Sequence, residues 1–237
     1  QHRDNEQPTT HNQQPITDGQ QTITNNQQQT TDSGHPAILY CGNFGHLHDH
    51  ETLFAYLRSV EDIRRVRQTH RSQAQPSANR PYPIWKFHCS GPKQGALEKV
   101  VGELPEPVQQ SIHLGGGLSQ SEWIAALESA DVALVTMVPG AETVVMPSKT
   151  YSAMMAGQAI LAIAPENSDL VDTLKATNCG WWVEPGDVEK LKKVLREIQE
   201  DPAGLLEKRE RAYHYAHEHF GQDTLAQQWI EALKQLQ

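Results

Sequence analysis

"DVALVTMVPGAETVVMPSKTYSAMMAGQAILAIA", residues 131–164, decides the fold. Residues 131–137 form an unbroken apolar run, the pattern of a strand buried on both faces. "AILAIA" at 159–164 repeats it. Between the two runs lie Pro139 and Gly140, which punctuate a turn, and then a helix opened by Pro147 and carried by Ala153, Met154 and Ala156. Two buried strands joined through a helix imply a right-handed crossover and a parallel sheet.

The same alternation extends on both sides. "AILYC" (37–41), "IWKFHC" (84–89) and "SIHLGGG" (111–117) read as strands, as does a short sixth in "GWWVEPGD" (180–187). Residues 50–63 place Leu53, Leu57 and Val60 on one helical face. A second helix is expected from about Pro92 to Gly102, and a third over 119–130. In the third, Ser119 followed three residues later by Glu122 is a capping-box pattern. Past Asp187 the strands stop, and 188–200, 205–220 and 224–237 read as helices. The expected class is α/β, a three-layer parallel sheet with helices on both faces that ends in a run of helices.

The chain divides near residue 35. Residues 1–35 are rich in Gln, Thr and Asn, with Ile16 and Ile23 as their only large aliphatics, too little apolar surface to offset the entropy of ordering. They read as a disordered tail or linker, with self-association through the Gln/Asn bias as the alternative. Residues 36–237 form the domain, with a polar insert over 64–83 in the first crossover. That insert is simplest as a solvated loop, and its arginines also suit an anionic membrane surface or a lipid-linked acceptor. The first residue is not Met, so a piece of a longer protein is expected.

The formal net charge of −9 argues against nonspecific nucleic-acid binding. No run approaches the length of a membrane span, and no signal peptide is visible. Cys41, Cys89 and Cys179 are odd in number and lie in or beside apolar runs, which suits buried free thiols and a reducing compartment. His46, His48 and His50 alternate, but no second ligand cluster accompanies them, so no metal site is expected.

Ligands of open parallel sheets bind beyond the carboxyl ends of the strands. Here those loops are "GNFGH" (42–46), "SGPK" (90–93), "GGGLS" (115–119) and "VPGAETVVMPSK" (138–149). Glycine permits close backbone approach, and helix N-termini favour phosphate oxygens. Neither a P-loop nor the dinucleotide Gly-x-Gly-x-x-Gly pattern is present, so the pattern points to a phosphate-bearing ligand other than NAD.

Residues 37–235 resemble the C-terminal, nucleotide-sugar-binding domain of GT-B glycosyltransferases of the retaining family 4 (group 1) type. The residues that carry the likeness are "LYCGNFGHLHDHETL", the stretch from Ser129 through Ile163 with its Pro-Ser-Lys element, and "NCGWWVEPGDVEKL". The resemblance implies a Rossmann-like domain that holds a UDP- or GDP-sugar, with no obligatory metal. A separate N-terminal domain would bind the acceptor, a glycan or lipid-linked sugar, in the cytoplasm or at the inner face of the membrane.

Carried over by position, Glu142 addresses the donor sugar, and the amides of Thr143, Val144 and Val145 approach sugar and diphosphate. Leu118 meets the base, and Gly42, Asn43 and Gly45 belong to the phosphate-side loop; Gly91 and Lys93 are expected to contribute from the strand-end loop at 90–93. The family's Arg falls at His46, which takes its catalytic place, and its second acid falls at Thr150. Ser148 and Lys149 are the residues that could substitute. Two other functions share the architecture: a non-catalytic scaffold, and a sugar-nucleotide epimerase.

Overall fold

A computed structural model describes residues 34–70, 82–144 and 148–234. The expectations for the Gln-rich segment up to residue 33, for 71–81 of the polar insert and for Val145 lie outside the described residues. So do the side chains of residues 61–70, 222 and 223.

The strands are β1 (Ala37–Asn43), β2 (Ile84–Ser90), β3 (Ile112–Gly115), β4 (Val132–Thr136), β5 (Ala159–Ile163) and β6 (Gly180–Val183). They form one six-stranded sheet in the order β3-β2-β1-β4-β5-β6, with every pairing parallel. The helices are α1 (Glu51–His70), α2 (Gln94–Gly102), α3 (Glu106–Gln109), α4 (Gln120–Glu128), α5 (Ser148–Met155), α6 (Asp169–Thr177), α7 (Val188–Glu200), α8 (Pro202–Phe220) and α9 (Gln222–Lys234). This is the three-layer α/β arrangement that the alternating runs predict.

Alternation along each strand builds two cores. Ile38, Tyr40, Val132, Leu134, Leu161 and Ile163 pack with α1, α2 and α7 on one face. Ala133, Val135, Ile160 and Ala162 pack with α5, α6 and α8 on the other, where Ala37 and Leu39 meet α4. Gly180 on β6 has no room for a side chain, because a Cβ there would run into the Ile160 carbonyl.

Two helices, α3 and α6, are additions to the sequence reading. The polar stretch from Arg64 also begins differently from the loop expected, because α1 continues to His70. Trp181 and Trp182 alternate as strand neighbours should. Trp181 is buried and donates to Glu197 Oε1 at 2.6 Å, while half-buried Trp182 donates to the Ala164 carbonyl at 2.7 Å beneath Lys190. Cys89 and Cys179 are buried and Cys41 is half-buried, all as free thiols.

The amino edge of the sheet is tied by one buried ion pair. Asp131, 2% exposed, accepts from the Ala37 amide at 2.9 Å and from Arg209 Nη1 at 2.8 Å. Arg209 also donates from Nε to the Gly157 carbonyl at 2.9 Å, so α8 is fastened to β1, β4 and the turn that follows α5.

The capping box is present at α4: Glu122 Oε2 accepts from the Ser119 amide at 2.8 Å, and the Glu122 amide donates back to Ser119 Oγ at 3.4 Å. Ser119→Ala is therefore expected to cost about 1 kcal/mol. In a thermal melt that is a loss of roughly 2–4 °C. An unchanged melt would show that the cap does not stabilise α4.

At the carboxyl terminus, α9 leaves Leu225, Trp229, Ile230 and Leu233 exposed. Among the described residues no helix is long and apolar enough to cross a membrane.

Candidate functional site

Strand order reverses between β1 and β4: the chain moves outward through β2 and β3 on one side of β1, then returns to place β4 on the other. Loops leaving neighbouring strands diverge at such a point and open a crevice at the carboxyl edge. The structure has a cleft of about 340 Å³ there. Cys41 and Gly42 from β1 and His88 and Ser90 from β2 line one side; Gly117, Leu118 and Trp123 close another. Ser148, Lys149 and Ser152 of α5 complete the wall.

Lys149 dominates the chemistry of this cleft. It stands in the first turn of α5, where a cation opposes the helix dipole. Its side chain crosses Gly42 toward the end of β1. Gly42 has a φ of +124°, and a Cβ built on it would lie 2.8 Å from Lys149 Cε, so backbone conformation and close approach both require glycine. Lys149 Nζ donates to Tyr40 Oη at 2.9 Å and lies 3.4 Å from the Asn43 carbonyl and 4.2 Å from the centre of the Tyr40 ring. Among the described residues no carboxylate pairs with it. Burial pushes its pKa down to about 8, opposed by the thiols of Cys41 and Cys89. The result is a half-buried cation beside an open cleft, held by neutral oxygens, with no carboxylate partner among the described residues.

Of the residues expected from sequence, Gly42, Leu118, Ser148 and Lys149 meet on the cleft wall. Asn43, Gly45, Gly91 and Lys93 instead fasten the loops after β1 and β2 to each other. The Asn43 side chain fills the space that a Cβ on Gly91 would need, and Gly91 has a φ of +118°. A Cβ on Gly45 would lie 3.3 Å from Asn43 Oδ1, and the Lys93 amide donates to the Phe44 carbonyl at 3.2 Å.

The loop after β4 is also partly self-satisfied. Glu142 Oε1 accepts from the Gly140 amide at 3.0 Å. The Val144 amide donates to the Ala141 carbonyl at 3.1 Å, so it is not the free donor that the sequence suggests. Thr143 and Val144 are exposed. Thr150 is 3% exposed and points inward, with no hydrogen-bond partner for Oγ1, so it does not stand on the cleft wall.

His46 is exposed at the tip of the loop after β1 and does not line the cleft. The neighbour that turns inward is His48, whose Nδ1 donates to the Thr136 carbonyl at 2.9 Å and whose pKa is lowered by burial and then by Lys149. His50 bonds instead to the His48 carbonyl at 3.1 Å and to Glu51 at 3.1 Å. The three histidines therefore do not converge, and among the described residues no group of three His, Cys, Asp or Glu could hold a metal.

Sequence reasoning missed Tyr40, Cys41, His88, Trp123 and Ser152. Trp123, 36% exposed, supplies an aromatic face to the cleft. Its signal was available, as a tryptophan one turn into a capped helix that follows a glycine-rich loop.

No family model matches the chain. Over 85 residues it is 34% identical to the probable glycosyltransferase WbjE of Pseudomonas aeruginosa, a match covering 36% of this chain and 21% of that protein. In structure it is similar to sucrose-phosphate synthase from Thermosynechococcus elongatus, with a TM-score of 0.61 and 19% identity, covering 87% of this chain and 46% of the other. It is also similar to Anabaena HepE, solved in complex with UDP, with a TM-score of 0.60 and 14% identity, covering 85% and 49%. The chain thus spans about a fifth of the curated relative and less than half of these two structures. The sheet order, the helices on both faces and these likenesses agree: the chain has the fold of a GT-B glycosyltransferase domain.

Proposed function

We propose that the cleft at the switch point, walled by the ends of β1 and β2 and the starts of α4 and α5, binds the diphosphate of a nucleotide-sugar, and that this domain is the donor-binding part of a retaining glycosyltransferase. The observation that carries the reading is Lys149, which lines the cleft at the switch point and whose ammonium has no carboxylate partner among the described residues. A diphosphate there would supply the missing counter-charge. As the sugar leaves, negative charge grows on the diphosphate, and a fixed cation stabilises that state most.

Leu118 and Trp123 offer apolar and aromatic surface suited to the base. The complex of HepE with UDP makes uridine diphosphate the natural first probe, with guanosine diphosphate tested beside it. A second domain would hold the acceptor, a glycan or lipid-linked sugar. The matching site of action is the cytoplasm or the inner face of its membrane.

Calorimetric titration with UDP, GDP and their sugars tests this directly. Micromolar-to-millimolar binding of at least one is expected, and no binding to any would refute the donor role. Glu142 is the candidate for the sugar side, since the bond to Gly140 occupies one carboxylate oxygen and leaves the other to accept from a sugar hydroxyl. Glu142→Ala is expected to weaken nucleotide-sugar binding roughly tenfold, as losing a hydrogen bond to a charged group does, while binding of the bare nucleotide stays near normal. Equal losses for both would remove Glu142 from that role.

A specific observation favours a second reading, a binding domain without turnover. His46 and Thr150 stand where the resembling family places a cation and an acid, and neither lines the cleft. Both readings predict nucleotide binding, and assay of the parent protein for transfer to an acceptor separates them. Release or epimerisation of the sugar without any acceptor would instead indicate the epimerase alternative.

A further inference from the structure

We infer that Tyr40 is a positioning residue for the candidate donor site: its hydroxyl fixes the Lys149 ammonium at the cleft wall and keeps it in the form that receives an anion. The inference rests on the reading of Lys149 as the diphosphate receptor and extends it to a side chain inside the sheet.

Tyr40 is fully buried, with its ring against Phe44 at 5.0 Å and Phe87 at 6.4 Å. Its hydroxyl has one proton and donates it to the Asn43 carbonyl at 2.6 Å. The oxygen is therefore oriented as an acceptor, and it takes the hydrogen bond from Lys149 Nζ at 2.9 Å. The ring face also lies 4.2 Å from Nζ and adds a cation–π attraction. Burial holds the phenol well above its usual range, so the acceptor is the neutral hydroxyl rather than a phenolate that would neutralise the lysine.

Other titratable groups facing the ammonium leave its charge uncompensated. They are the thiols of Cys41 on β1 and Cys89 on β2, whose own pKa values are raised by burial, and the imidazole of His48, whose pKa burial lowers. A lysine tethered only by neutral acceptors keeps its charge for a ligand, and the tether limits the rotamer freedom lost on binding.

Tyr40→Phe keeps the ring and removes the tether. With UDP or GDP as probe, the variant is expected to bind roughly tenfold more weakly at pH 7, in line with the loss of a hydrogen bond to a charged group. In a Lys149→Ala background the same change should add nothing, since the partner it acts through is gone. The second readout needs no nucleotide. In the full chain labelled with carbon-13 at lysine Cε, the Lys149 titration midpoint should move to lower pH in Tyr40→Phe, because the ammonium has lost an acceptor.

An unmoved midpoint, or an equal loss of affinity with and without Lys149, would overturn the inference. Failure of the parent chain to bind either nucleotide would refute the donor-site reading, while the lysine titration would still decide the role of Tyr40. Should the phenylalanine variant not fold, incorporation of 3-fluorotyrosine, whose oxygen is a weaker acceptor, should shift the Lys149 midpoint in the same direction. No shift there would contradict the tether.

Discussion

Lys149→Ala is expected to weaken binding of UDP or GDP by roughly ten- to a hundredfold, the cost of removing a hydrogen-bonded charge from a partly buried site. The effect should be large because no second cation among the described residues lines the cleft to compensate. Lys149→Arg is not expected to restore affinity. The space over Gly42 is already filled by the lysine stem, and a planar fork cannot reproduce a compact ammonium seated on one hydroxyl.

The same residue sets a pH dependence. Burial lowers the Lys149 pKa to about 8 in the free domain. A bound diphosphate favours the ammonium and raises the pKa in the complex. Binding therefore takes up a proton between the two values. Affinity should be flat below about pH 8, where the lysine is already charged, and should fall as pH rises from there toward the higher pKa of the complex. Titrations spanning neutral to moderately alkaline pH check the sign. Affinity that rises over the alkaline half of that range, or an identical profile in Lys149→Ala, would exclude Lys149 as the receptor.

Arg209→Ala should have the largest effect on stability. The change removes the direct cation from the Asp131 carboxylate at 2% exposure, leaving it the Ala37 amide as hydrogen-bond donor and Lys86 as the nearby charge, and it leaves the Gly157 carbonyl without the Nε donor. Breaking a buried pair from one side costs about 3–5 kcal/mol, because the remaining charge loses its direct partner. Urea denaturation should show that loss as a lower midpoint with an unchanged slope. Arg209→Lys is expected to recover little, since one ammonium cannot reach both Asp131 and Gly157 in the geometry of the guanidinium. A loss under about 1 kcal/mol in Arg209→Ala would mean that water replaces the guanidinium and that the pair is less enclosed than its contacts indicate.

The order of strands and helices was legible because buried strands of a parallel sheet are apolar on both faces and are bounded by glycine and proline. β4 and β5, buried at every residue, are the clearest examples. What could not be read was the sheet order, and with it the cleft. Tyr40, Cys41 and His88 lie within strands, where only pairing and register determine which loops and helices they meet; the β1–β2 register sets Cys41 opposite His88.

Loop residues were legible as a group but not by role. Gly42 and Lys149 meet across the cleft, whereas Asn43 and Gly91 hold two loops together. Sequence position marks all four as ends of strands or beginnings of helices, and only contact separates cleft-lining groups from fastening ones. The continuation of α1 to His70 leaves no mark in the sequence for a related reason: "RRVRQTH" carries one apolar residue, Val66, and gives no period. α6 is faint in the sequence although Leu170, Val171 and Leu174 bury one face, because nine residues hold little more than two turns of that pattern.

The most direct test of the proposed nucleotide site is an amide and indole NMR titration of this chain with UDP and GDP at neutral pH. Shifts are expected to cluster at Gly42, Gly117, Leu118, Ser148 and Lys149 and at the Trp123 indole, with the Trp181 and Trp182 indoles unmoved. Shifts concentrated elsewhere, or none at millimolar nucleotide, would contradict a donor site at this switch point.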